Sequence, residues 1–232
     1  MVGVTIYNSS GYVQINEEYQ NFQLMQMAND TTAQQSADFY PGVSSGFKQV
    51  TLNTLSTPIL ATGCGFNPVL PTMLNSPNWS NNQYNYRVDV VGEIGSYAPT
   101  WVFDMSFDYS GSGIMMVYTA NGQVAFNSDR KYLRILEAGN LSSTSDAIIQ
   151  RDYRGKTVAI VMSRPGLRQT YTQVNGSNYL NNGRTKFFQD PESGMVTVNW
   201  HSRQVGGQGA TVPLIQRDTR FFLVDVSNFR YL

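Results

Sequence analysis

The stretch Val117–Leu136, VYTANGQVAFNSDRKYLRIL, repeats the pattern of Ile6–Met25, IYNSSGYVQINEEYQNFQLM, at a constant offset of 111 residues and without a gap. Ile6 falls on Val117, Tyr7 on Tyr118, Gly11 on Gly122, Val13 on Val124, Ile15 on Phe126, Asn16 on Asn127, Phe22 on Leu133 and Leu24 on Ile135. Self-similarity at a fixed period is the first thing to settle in a sequence, because any local motif has to fit the architecture it implies. Within each copy, a short apolar strand ends at Tyr7 or Tyr118, and a polar run closing on glycine turns the chain. Val13/Ile15 or Val124/Phe126 then alternate with polar residues at the two-residue period of a half-buried strand. Ala120-Asn121-Gly122 is a hairpin signal, since glycine accepts positive φ without a Cβ clash.

Working outward, the repeat predicts an all-β chain of two related antiparallel β-sandwich-like units with many short strands and little helix. The units run from residue 1 to 111 and from 112 to 232, packed in contact or fused into one body; each has the size of an ordinary domain. About fourteen strands are expected, with turns every 8 to 12 residues. Composition agrees: only 14% of residues are charged and 12% are aromatic, so Asn, Gln, Ser and Thr supply the polar surface, as suits stacked β-layers. One short helix is expected where Ser145 or Asp146 caps the apolar run Ala147-Ile148-Ile149.

Formal net charge is zero, yet the repeat boundary separates opposite signs. Residues 1–111 carry two bases (Lys48, Arg87) and eight acids, net −6, and the remainder carries fourteen bases and eight acids, net +6. Three readings follow. The basic half contacts nucleic acid; or it faces the acidic half of a neighbouring copy through Arg151, Arg154 and Arg168; or the halves attract one another within the chain. Nucleic acid is disfavoured, because Arg151, Arg154, Lys156, Arg164 and Arg168 have no interleaved aromatic signature.

Chemistry is thinly represented. Cys64 rules out an internal disulfide and, between Gly63 and Gly65, reads as a small buried residue. His201 is the single histidine, so any Ser-His-Asp or Cys-His arrangement must use it, and its place beside Trp200 at a strand end reads as packing. Metal sites want several His or Cys ligands, and no cofactor is implied. Gly155-Lys156-Thr157 resembles the end of a phosphate-binding loop, but Gln150 stands where that loop needs its first glycine, and the segment opens a strand. Asp104 and Asp108 fall at even spacing on one strand face with Glu93 on the preceding strand, a set that glycoside hydrolysis or cation binding would use and that is equally a solvated face. The sequons at Asn8, Asn29, Asn78, Asn140 and Asn175 follow from the abundance of Asn, Ser and Thr and carry no meaning without a secretory route.

The N-terminus lacks a basic, apolar leader and no apolar run nears the ~20 residues of a membrane span, so folding in a reducing cytoplasm is expected. Two polar segments draw attention, as binding surfaces for sugar or protein or, for the aromatics of the first, as packing beneath the loop. One is the long loop from Pro71 to Tyr86 with Trp79, Tyr84 and Tyr86; the other is the tip from Asn175 to Gly183 with Tyr179.

The opening, Gly3-Val4-x-Ile6-Tyr7-Asn8-x-x-Gly11-x-Val13-Gln14-Ile15-Asn16 followed by Tyr19 and Phe22, resembles the start of small β-rich virion proteins encoded among the structural and tail genes of tailed bacteriophages. The resemblance covers about the first 25 residues and the general style of the chain. It implies a non-enzymatic component of the virion, in the tail or its fibres, assembled in the host cytoplasm. Its partners would be copies of itself and other virion proteins, and no catalytic residue carries over. Two alternatives stand beside it: a receptor- or glycan-binding module of the virion, and a capsid decoration protein.

Overall fold

The computed structural model describes residues 5–7, 13–16, 22–28, 34–35, 45–53, 58–70, 83–91, 97–105, 114–122, 124–204 and 213–229. Nineteen strands lie among them. The first half holds β1 (Thr5–Tyr7), β2 (Val13–Asn16), β3 (Gln23–Ala28), β4 (Gln34–Gln35), β5 (Ser45–Asn53), β6 (Ile59–Thr62), β7 (Val69–Leu70), β8 (Gln83–Val91) and β9 (Thr100–Asp104). The second holds β10 (Met116–Tyr118), β11 (Val124–Asn127), β12 (Ile135–Leu141), β13 (Ile149–Asp152), β14 (Val158–Arg164), β15 (Leu167–Val174), β16 (Ser177–Gln189), β17 (Met195–Gln204), β18 (Gln216–Arg217) and β19 (Thr219–Asp225). The protein is all-β, and no helix occurs among the described residues. In place of the helix expected after Ser145, the chain runs irregularly through Ile148 and enters β13 at Ile149, which pairs with Val198 of β17; a neighbouring ladder outweighs the weak helical preference of so short a run. The tip expected from Asn175 to Gly183 shrinks to the turn Asn175-Gly176, beyond which the chain is again strand.

Two large antiparallel sheets face one another. One has six strands in the order β12-β19-β14-β6-β9-β3, and the other has nine in the order β13-β17-β16-β7-β8-β5-β4, with β15 and β18 attached through β16. Strands from both halves of the chain share each sheet, through β6 beside β14 and β7 beside β16. The space between the sheets is filled by Leu60, Val69, Val102, Ile160, Phe187, Val198, Phe221 and Leu223. The alternate residues of the six-stranded sheet, Ala61, Phe103, Ala159, Val161 and Val224, pack on its other face against Phe22, Leu133 and Phe229. Burial on both faces removes the need for polar alternation, which is why Val158–Met162 is an unbroken apolar run.

The register of these sheets makes the repeat geometric. In the hairpin β1–β2, Thr5 pairs with Asn16, Ile6 with Ile15 and Tyr7 with Val13 across a bulge. In β10–β11, Met116 pairs with Asn127, Val117 with Phe126 and Tyr118 with Val124 across a bulge at the equivalent step. The next strand of each half repeats the device: the bulge between Leu24 and Gln26 of β3 recurs between Ile135 and Glu137 of β12. Equivalent strands then occupy mirrored places in the order of the six-stranded sheet, β3 with β12, β9 with β19 and β6 with β14. A two-fold axis follows. It passes between Ala61 and Val161, which pair with each other in the six-stranded sheet, and between Val69 and Phe187, which pair with each other in the nine-stranded sheet. On the outer side it passes between Phe22 and Leu133, where Leu133 N donates to Phe22 O at 2.9 Å.

Candidate functional site

Among the residues singled out in the sequence, Trp79, Glu93 and Asp108 lie outside the described residues, as does nearly all of the loop around Trp79. Tyr84 and Tyr86 lie on β8, paired in register with Leu52 and Val50 of β5. The structure places these two tyrosines on β8 of the nine-stranded sheet and Tyr179 on β16 of the same sheet, with β7 between the two strands.

The three arginines expected to face a neighbour each have an acid of their own half. Arg151 on β13 grips Glu137 on β12 in a bidentate pair, with Nε at 2.8–2.9 Å from both carboxylate oxygens and Nη2 at 2.8 Å, while Tyr153 Oη donates to the same carboxylate at 2.9 Å. This clasp joins the edge strand of one sheet to the edge strand of the other and closes that end of the sandwich. The Arg151 guanidinium holds Glu137 below the ordinary carboxylate range. Burial, reinforced by the carboxylate beside it, pushes the Tyr153 hydroxyl up to about 12. Arg154 Nη2 lies 3.3 Å from Asp152, and both side chains are largely exposed. Arg168 differs: its side chain is mostly buried, it bonds Asp146 through Nη1, and its Nε is buried without a hydrogen-bond partner.

Asp104 is fully buried at the end of β9, where one carboxylate oxygen accepts the Met105 N–H at 2.7 Å. The two-fold axis relates it to Asp225 at the end of β19, whose carboxylate accepts the N–H and hydroxyl of Ser227 at 3.0 and 2.7 Å. Both aspartates cap the residues that follow their strands, so the repeat itself supplies a structural role for the residue first considered as an acid-base group. His201 on β17 pairs with Arg184 on β16, and burial, with Lys186 nearby, holds its imidazole below the ordinary histidine range. Cys64 accepts the Gln189 N–H at 2.9 Å, and burial pushes its thiol up to about 11, far from the thiolate a nucleophile needs. Among the described residues, no group of three or more His, Cys, Asp or Glu is placed to hold a metal ion.

What sequence reading did not isolate is a hairpin arm. In the first half the chain passes from β6 to β7 through residues 63–68; in the second, the equivalent path from β14 to Phe187 contains β15 and most of β16. Ala61 and Val161 stand 100 positions apart, but Val69 and Phe187 stand 118 apart, so the second half carries 18 more residues here. β15 and β16 pair without interruption from Arg168↔Gly183 to Val174↔Ser177. They are joined by Asn175-Gly176, both at positive φ (49° and 79°), as a two-residue hairpin turn of matching twist requires. The signal was present as Asn175-Gly176 between alternating segments.

No protein-family profile matches the chain, and no curated protein and no solved structure is similar enough to register as a match.

Proposed function

We propose that this protein is a structural component of a tailed-phage virion, tail- or tail-fibre-associated, which acts in multiple copies by protein–protein contacts. The observation that carries the reading is the resemblance of the opening hairpin to such proteins, together with its exact-register recurrence in the second half. A motif that recurs with its pairing and its bulge intact is a building element, repeated for its shape. The chemistry of the described residues supports the same reading. The carboxylate, thiol and imidazole that a reaction would need are tied to backbone capping, to Gln189 and to an arginine- and lysine-bearing sheet face. The surface depends on neutral polar groups, which suits close packing among neighbours without net repulsion.

Locating the protein's density in intact particles tests the proposal directly. Ordered copies in the tail or its fibres are the expected result. Absence from the particle, or turnover of a substrate lost on changing His201 or Asp104, overturns it. Placement on the capsid surface would instead support a decoration protein.

A further inference from the structure

We infer that the β15–β16 hairpin is a docking arm, added to a fold that closes without it, and that its occupant is the same arm of a second copy of this chain. The inference rests on the multi-copy reading above and names the surface involved. The first half is the internal control. It performs the same turn between the two sheets with six residues, so the 18 extra residues of the second half serve something other than closing the sandwich. The arm is also built to hold its shape. Its turn matches the strand twist, Gln169 Nε2 donates to Asn182 Oδ1 at 3.0 Å, and Asn181 Nδ2 donates to Thr172 Oγ1 at 2.7 Å. Among the described residues, β17 pairs with β16 from Val196 opposite Gln189 to Gln204 opposite Asn181. The last four rungs of the hairpin, Tyr171↔Leu180 to Val174↔Ser177, span about 14 Å at ~3.4 Å per residue.

Charge selects the occupant. A contact between two identical arms related by a two-fold axis sets like against like, so a cation or carboxylate near the axis meets its own copy. The second half carries a net charge of +6, so a two-fold contact through its surplus bases would set like charges together. From Gln169 to Gly183, however, fifteen consecutive residues contain no Asp, Glu, Lys, Arg or His. Amide side chains suit such a contact, because each bears both donor and acceptor and is complementary to itself. One face of the arm places Tyr171 opposite Leu180, with Gln169/Asn182 on one side and Gln173/Asn178 on the other. An aromatic and aliphatic centre rimmed by neutral polar groups is the usual anatomy of a protein–protein interface.

The test compares the full-length protein with two variants by sedimentation velocity over a range of concentrations. In the first, Asn-Gly replaces Tyr171–Leu180, joining Thr170 to Asn181 on a pair equivalent to the Val174↔Ser177 pair that the native turn closes. The second is Leu180→Lys, which puts a charge near the axis and leaves the arm at full length. Wild type should self-associate, and both variants should lose at least tenfold in association affinity while retaining cooperative thermal unfolding. Wild-type association retained by both variants overturns the arm and leaves the multi-copy reading standing. A wild type that is monomeric at every concentration overturns both. Arm-dependent retention on dextran by a monomeric wild type overturns the inference too, assigning the arm to neutral carbohydrate.

Discussion

At the scale of single residues, close approach and charge each set an expectation. A Cβ built on Gly139 meets the ring of Phe221 at 2.2 Å, and Phe221 lies in the core between the sheets. Gly139→Ala must therefore displace a buried ring, with an expected loss of about 1–3 kcal/mol in urea unfolding, the range for overpacking a well-filled core. Gly122 is the contrast: a Cβ there meets nothing, but φ is +78°, so Gly122→Ala should cost only about 1 kcal/mol through backbone strain. The pH dependence has a sign fixed by the groups already described. Folding lowers the His201 pKa from 6.5, so as pH falls below that value the unfolded chain takes up the proton first and stability drops, until the pH passes the folded value. A second loss follows in more acid solution as the lowered carboxyls of Glu137, Asp190 and Asp218 are protonated. Unfolding midpoints should thus be flat between about pH 7 and 8, decline below 6.5, and decline again in alkaline solution as the unfolded chain loses the Cys64 and Tyr153 protons that the folded chain retains; His201→Asn should remove the first part of the acid decline and leave the second.

At the scale of elements, the clasp at the end of the sandwich makes β12 and β13 move together. Their sheets are different, and Glu137 is the shared group that receives both Arg151 and Tyr153. Glu137→Ala should speed amide exchange on β12 and β13 and leave β14 protected, as read by hydrogen-exchange mass spectrometry; Tyr153→Phe should give a weaker version, worth about 1 kcal/mol for one hydrogen bond. Much of this level was legible in the sequence. Alternation located β2 and β11, and the reading of Gly155-Lys156-Thr157 as the opening of a strand located β14. The exceptions share one cause. Ala147-Ile148-Ile149 is equally compatible with a helical turn and a strand until Val198 is seen beside Ile149, and β16 outruns its polar composition because β15 and β17 supply ladders on both sides.

At the scale of the whole molecule, the two-fold axis yields an expectation about connectivity. If the two halves are equivalent bodies sharing both sheets, the order in which the chain visits them is not essential to the packing. A permuted chain consisting of residues 112–232, a short glycine-serine linker and residues 1–111 should fold to the same structure, with near-identical amide chemical shifts for the six-stranded sheet. Loss of those shifts would mean that the link through residue 111 holds the halves together, in place of the pairing of β6 with β14 and β7 with β16. The charge asymmetry takes a different meaning at this scale. Arg151, Arg154, Lys156 and Arg168 each have an acid of the second half beside them, so the half's surplus resides elsewhere than in the arginines first suspected.

By itself the sequence determined the all-β class, the recurrence of the opening hairpin and the neutral polar character of the surface, because periodicity, turn residues and composition are local properties. Only the tertiary structure decided that the halves share two continuous sheets about one axis, that Asp104 is the counterpart of Asp225, and that the β15–β16 arm is an addition. Those facts depend on pairing between distant strands. Equivalent positions are 111 residues apart at the opening hairpins, 100 at Ala61/Val161 and 118 at Val69/Phe187. Insertions in the connections shift the spacing along the chain, and only the hydrogen-bonded register restores the match.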